Sequence, residues 1–372
     1  MIHQLYDIIS IYLTGLLLLI GGGCFLLIPT PGNPLLRSYR KARMMMACAY
    51  LFFAAVNGLE FMCRHPGSDT LLATQMATLA IAFSQAFLFT WALIALLNVQ
   101  WMQRRRFFRE SALVLAFVAT VFAVYFALPA DSARIIFYLL TGLYLVQLIR
   151  YTRLFIGSYL LFKQRMHNFF ADEQERHLHW VVFSFCAALV IGVLALLSAL
   201  FMSHTGALLF SIVLAAFYAY FAVRFLRYGY SFRVIEPAME DVEPAPCEDA
   251  DAVYPAAFAS IETKITQWVA NEGFTQQGIT LDKLAAELYT NRSYLSCYIN
   301  KYHKQTFREW INELRIEEAQ KLLRQHPEMS IHEIALHTGF ANKSNFGRQF
   351  LKQTDLTPGK WRKIQPLETD LF

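Results

Sequence analysis

The chain has 372 residues, 56% of them apolar and 16% charged, with a formal net charge of +5. A soluble globular protein averages roughly 45–50% apolar and 25% charged residues, and a chain this long has room for two or three domains. One soluble domain is therefore excluded. The apolar excess sits in residues 8–226, and the residues beyond 226 have an ordinary soluble composition.

Seven stretches carry about 20 mostly apolar residues each, the length a membrane-spanning helix needs. They are 8–28, 44–63, 71–99, 111–128, 135–155, 180–202 and 207–226. The runs are continuous rather than alternating, which predicts a helical bundle, since a helix satisfies its own backbone in hydrocarbon. Gly22-Gly23-Cys24 faintly resembles a lipoprotein cleavage box. No basic residue precedes it, though, and cleavage would place the basic loop 29–43 outside.

Basic residues set the orientation. Arg37, Arg40, Lys41 and Arg43 fill the first loop, Arg104, Arg105, Arg106 and Arg109 the third, and Arg150, Arg153, Lys163, Arg165 and Arg176 the fifth. The alternate loops carry only Arg64 and Arg134. The basic loops are expected in the cytoplasm, with the N-terminus outside and the C-terminus inside. The outer loops, about 64–70, 129–133 and 203–206, leave no room for an external sensor domain.

Asn57 and Glu60 lie three apart on one helix face, and an intramembrane carboxylate is a candidate signal site. Glu60 is equally placed to reach water at the outer end. Gln75, Gln85 and Gln147 suit hydrogen bonds between helices. His177 and His179, two apart, point to different helix faces, so no metal site is expected. Six cysteines occur without CxxC or His/Cys ligand spacing, so neither a disulfide framework nor a zinc site is expected.

Residues 231–256 hold seven acidic residues from Glu236 to Asp251, interrupted by Pro237, Pro244, Pro246 and Pro255. That composition reads as a self-repelling linker.

From residue 257 the pattern becomes short amphipathic helices. Thr280 can cap a helix with the stripe Leu281, Leu284, Ala285 and Leu288, and Asn291 can cap the next, about 292–302. That second helix is expected to bury Leu295, Tyr298 and Ile299 and to show Arg292, Ser293, Ser296, Cys297, Asn300 and Lys301. The arrangement recurs. Ser330 caps a helix with Ile331, Ile334 and Ala335, Gly339 ends it, and Asn342 caps a helix burying Phe346, Phe350 and Leu351. Lys343, Ser344, Asn345, Arg348 and Lys352 are expected on its open face. Phe307 to Gln325 reads as one connecting helix of about 28 Å at 1.5 Å per residue, near the roughly 34 Å between successive major-groove faces.

Over residues 262–363 the chain resembles the AraC/XylS family of bacterial regulators. The stretches that carry the resemblance are Leu281-Asp282-Lys283-Leu284-Ala285, Tyr294-Leu295-Ser296, Leu314-Arg315-Ile316 with Ala319, and Ile334-Ala335. Gly339-Phe340, Ser344-Asn345-Phe346, Arg348, Phe350, Thr357-Pro358 and Trp361-Arg362 complete it. The resemblance implies two helix-turn-helix units that bind DNA to control transcription, and the chain looks like a membrane-anchored version. Gln305 and Asp355 stand where glycine is common in the family. Cys297 stands where a longer base-contacting residue is usual, so the second unit is expected to carry more of the readout.

The expectation is an all-α protein with a seven-helix transmembrane domain at 1–230, the linker at 231–256 and a DNA-binding domain at 257–372. Double-stranded DNA and the lipid bilayer are the expected partners, together with an unknown signal ligand or membrane partner, and a homodimer is compatible with the sequence. The expected place is the bacterial inner membrane. No phosphate loop, nucleophile elbow or paired-carboxylate motif appears, so neither an enzyme nor a cofactor is expected. The competing reading is a multi-span receptor or transporter whose C-terminal domain reports occupancy. A bundle that only anchors is a third.

Overall fold

A computed structural model describes residues 2–27, 37–62, 70–98, 103–172, 179–201, 204–235 and 255–364. Those residues form helices and loops without a strand, the one β-bridge among them being an isolated pairing of Phe170 with Thr280. The chain divides into two compact units, Met1–Phe162 with His177–Met239 and Lys163–Arg176 with Glu240–Phe372.

Seven helical segments in the first unit fall on the seven expected stretches. They are α1 (Ile2–Leu18, continued as a π-helix over Leu19–Leu27), α2 (Arg37–Met62), α3 (Thr70–Leu97), α4 (Arg104–Ala127), α5 (Ala130–Phe169), α6 (His179–Phe201) and α7 (His204–Ile235). Among the described residues, five helices are long and apolar enough to cross a membrane: Leu72–Leu97, Arg104–Ala127, Ala130–Phe169, His179–Leu197 and Ile212–Gly229. The first segment offers a shorter apolar stretch, Ile11–Leu27. The side chain of Glu60 lies outside the described residues.

Helix α3 is central. In its most apolar window 78% of the residues are buried, against 28% in α4. Polar side chains pin the bundle where two helices meet. Gln85 donates to the Ala49 carbonyl at 2.7 Å, Tyr50 to that of Tyr218 at 2.7 Å, and Tyr144 to that of Gly192 at 3.2 Å. Buried Glu110 of α4 accepts from Arg150 and Tyr151 of α5. A buried donor or carboxylate without such a partner costs about 1–3 kcal/mol.

Helix α5 departs from expectation. Its predicted end near residue 155 and the loop after it are instead 14 more residues of helix, to Phe169. The reason is visible in the spacing. Phe155, Ser158, Phe162, Met166 and Phe169 are all buried at the i, i+3, i+4 rhythm of one helix face.

The second unit contains α8 (Pro255–Ala270), a 3₁₀ turn (Gly273–Thr275), α9 (Leu281–Glu287), α10 (Arg292–Tyr298, continued as a π-helix over Ile299–His303), α11 (Phe307–Gln325), α12 (Ile331–His337), α13 (Lys343–Thr354) and α14 (Pro358–Ile364). Two apolar clusters build it. The first gathers Ile261, Trp268, Leu284, Leu295 and Trp310, the second Ile334, Phe340, Phe346, Phe350 and Trp361. Helix α11 gives Phe307, Trp310 and Ile311 to one and Ile316, Ala319 and Leu323 to the other, so it spans both cores.

Every expected N-cap is in place. Thr280, Asn291, Ser330 and Asn342 each accept from the backbone three residues on. Thr306 with Glu309 and Ser330 with Glu333 form reciprocal capping boxes. Near the position where the family favours glycine before α11, the left-handed residue is Lys304 (φ 56°), one position before Gln305. Asp355 takes the left-handed conformation itself (φ 58°), which aspartate tolerates better than most residues. Gly339 (φ 86°) has no such substitute, because a Cβ there would stand 2.3 Å from the Thr275 carbonyl oxygen. The two helix-turn-helix halves touch backbone to backbone at that point.

Candidate nucleic-acid interface

Helices α10 and α13 are the second helices of the two helix-turn-helix units, each following a short helix and a tight turn. On α13, Lys343, Ser344 and Arg348 are at least partly exposed, in line with expectation, and exposed Lys352 lies 3.9 Å from Glu309. Two expectations are corrected here. Asn345 is buried (5% exposed) and its amide N–H is held by the Asn342 cap, whereas Leu351 is 45% exposed. Phe346 and Phe350 sit at i and i+4 and define the buried stripe. Leu351 is turned about 140° from Phe346 at 100° per residue, which carries it off that stripe.

On α10, Asn300 is exposed and donates to Ser296 Oγ at 3.4 Å, while Ser293, Ser296 and Lys301 are partly buried. Cys297 is corrected from the open face to the core. It is 1% exposed and sits in the first apolar cluster. Arg292 pairs with Asp282 at 3.5 Å and lies over the Phe169 ring at 5.4 Å. Burial pushes the Asp282 carboxyl up, and Arg292 opposes that shift. Around α10 the candidates are thus small, or engaged with their own unit. On α13, Lys343, Ser344, Arg348 and Lys352 are exposed.

Sequence reasoning misses a buried arginine pair on α11. Arg315 is fully buried. It donates through Nε to Phe274 O at 2.8 Å, through Nη2 to Gln276 O at 2.7 Å and through Nη1 to Asp172 Oδ1 at 2.9 Å, and it lies 5.5 Å from the Phe340 ring centre. Burial lowers its pKa and Asp172 opposes the change. Arg308, also buried, donates to the carbonyls of Phe170 and Asp172 at 3.2 and 3.1 Å. Asp172 Oδ2 accepts from Gly278 N at 2.7 Å, and Ala171 N donates to Ile279 O at 3.3 Å. Residues 169–172 are thereby built into the unit that holds both helix-turn-helix pairs. A signal is present in the sequence, since Arg308, Asn312, Arg315 and Ala319 share one stripe of α11 and all four are buried. Arg362 donates to the carbonyls of Met329 and Pro327 at 2.8 and 3.3 Å, closing the turn before α12. No cluster of three or more metal-ligating side chains occurs among the described residues.

Two helix-turn-helix pairs joined by a 19-residue helix define a DNA-binding transcription regulator. A family profile described as "Helix-turn-helix domain" matches residues 284–364. The chain is 30% identical over 104 residues to the probable transcription factor PqrA of Proteus vulgaris, a match covering 28% of this chain and 84% of that protein. It is 31% identical over 85 residues to the HTH-type transcriptional regulator YijO of Escherichia coli, covering 23% of this chain and 30% of that protein. Among solved structures, the C-terminal domain of AraT, a response regulator from Geobacillus stearothermophilus, matches 30% of this chain and 91% of that chain at 26% identity, with a TM-score of 0.27. The chain belongs to the AraC/XylS family of transcriptional regulators.

Proposed function

We propose that this regulator works from within the bacterial inner membrane. Helices α1 to α7 span the bilayer with the N-terminus outside, and the DNA-binding unit lies in the cytoplasm. The bundle senses a membrane-borne or small-molecule signal. The observation that carries this reading is the outward face of the bundle, where Leu115, Phe126, Leu139 and Val146 are all more than half exposed. In water such a surface would be an association hazard. In lipid it is the expected one, and the basic loops give it a direction. The receptor-or-transporter reading is not favoured, because the matched relatives are transcription factors and regulators.

On DNA, Arg348, Lys343 and Ser344 of α13 read base edges, Arg348 by two hydrogen bonds to one guanine, worth about 1–3 kcal/mol of discrimination. Asn300, Ser293, Ser296 and Lys301 add a weaker contribution from α10, and Lys352 contacts phosphate. A second copy of the chain, held in the same bilayer, supplies a second site.

The test uses the full chain in lipid nanodiscs, since a fragment beginning at residue 257 lacks Asp172. Bound genomic fragments are selected and sequenced. One shared motif, lost with Arg348→Ala, supports the reading. Salt-sensitive binding without a motif, in both single and paired copies, overturns it.

A further inference from the structure

The first unit holds a partly open cavity of about 130 Å³ lined by residues of α1, α2, α3, α5, α6 and α7. Its wall is mostly aromatic and aliphatic, with Phe53, Phe89, Phe185 and Tyr218 among the lining residues. Among the described residues, no lysine, arginine, histidine, aspartate or glutamate lines it. Two of the lining residues each hold a buried polar atom without a partner. Gln85 is 9% exposed and spends its amide N–H on the Ala49 carbonyl, which leaves Oε1 buried and unpaired. Asn57 leaves Nδ2 in the same condition. Each unmet group carries a desolvation penalty, which an occupant carrying one donor and one acceptor would relieve.

We propose that this cavity is a ligand site for a compact, uncharged aromatic molecule with a hydroxyl or equivalent group, which donates to Gln85 Oε1 and accepts from Asn57 Nδ2. The size follows from the volume, since an apolar cavity of about 150 Å³ accommodates benzene. The charge state follows from the wall, because an ion would enter a low-dielectric space with no counter-charge. Apolar pockets with a few placed polar groups are the usual form of small-molecule sites. The inference rests on the sensing role proposed above and names the chemical class that would serve it.

The probes are 4-fluorophenol, fluorobenzene and 4-fluorobenzoate, followed by ¹⁹F NMR on the full chain in phosphatidylcholine nanodiscs, with empty nanodiscs as the partition control. Saturable binding of 4-fluorophenol is expected, about tenfold tighter than fluorobenzene, the worth of one net hydrogen bond. 4-Fluorobenzoate should not bind. Asn57→Leu should reduce the preference for the phenol while fluorobenzene still binds, which also shows that the cavity has folded. Ala82→Leu, which fills the lining, should weaken both. Binding no different from empty nanodiscs overturns the proposal, as does saturable binding indifferent to both substitutions. Water as the standing occupant would appear as the first of these. Sequence selection on DNA is read separately, so a failure here leaves the regulator assignment intact, and a failure there leaves the site.

Discussion

The two units use apolar side chains in opposite ways. In the DNA-binding unit Leu284, Leu295, Ile311, Ile334, Phe340, Phe346 and Phe350 are completely buried, and the open face of α13 is polar apart from Leu351. In the bundle the centre is tied by Gln85, Tyr50, Tyr144 and Glu110, while leucine, valine and phenylalanine point outward. In the bundle the same residue types thus serve both as core, at Leu93, Phe137, Phe221 and Phe225, and as surface. Burial ranks alone would misjudge the bundle. The surrounding solvent decides which face is stable.

The sharpest way to break this comparison is inside the DNA-binding unit. Gly339→Ala forces a Cβ onto the Thr275 carbonyl at a left-handed position, and the expected loss is about 3 kcal/mol or more. Asp172→Ala leaves fully buried Arg315 without its carboxylate, and a broken buried pair costs about 3–5 kcal/mol. Both are checked by denaturant melts of the full chain. A wild-type midpoint for Asp172→Ala would mean that residues 169–172 contribute nothing to the unit.

Leu115→Arg tests the other side. It lies on the outward face of α4 at 66% exposure. In lipid the substitution should cost about 2.5–3.5 kcal/mol of insertion and deplete the chain from the membrane fraction. In water it would be close to neutral. Unchanged abundance with the chain in the soluble fraction would sink the membrane reading while leaving the DNA-binding assignment untouched.

Smaller effects sharpen the picture. Thr306→Ala and Ser330→Ala should each cost about 1 kcal/mol through lost caps. Hydrogen bonds from the Thr306 and Ser330 backbones lower the pKa values of Glu309 and Glu333 from the ordinary 4.5. Their stabilisation is therefore fully present above that pH and is lost as the pH falls through the lowered values. Melts of Glu309→Gln and Glu333→Gln between pH 3 and 6, about the range of glutamate titration, should show a shallower slope than wild type. Smallest of all, Asp355→Gly should stabilise the unit by roughly 0.5–1 kcal/mol, since glycine takes the left-handed conformation at no steric cost.

Much of the DNA-binding unit is legible in the sequence. Caps, the limits of α11 and the turn at Gly339 follow from short-range rules, because each depends on residues three or four apart. Cys297, Asn345 and Leu351 are misplaced by such rules because the buried arcs of α10 and α13 are set by the neighbours packed around them rather than by polarity alone. Arg315 and Asp172 are invisible as a pair, being 143 residues apart with no local pattern to join them. The extension of α5 escapes for a different reason. Its basic residues give the loop signal of the membrane rule, and that signal masks the buried stripe from Phe155 to Phe169. The cavity requires knowing which helices converge, and no single segment records that.

The backbone contact at Gly339, together with the span of Arg315 from Phe274 to the Phe340 ring, welds the two DNA-reading halves into one rigid gauge. Such a gauge cannot stretch. Single-base substitutions in its operator should weaken binding by degrees, but adding or deleting one base pair between the half-sites should abolish engagement of one half altogether, so the genome's usable sites are filtered by spacing before they are filtered by letters.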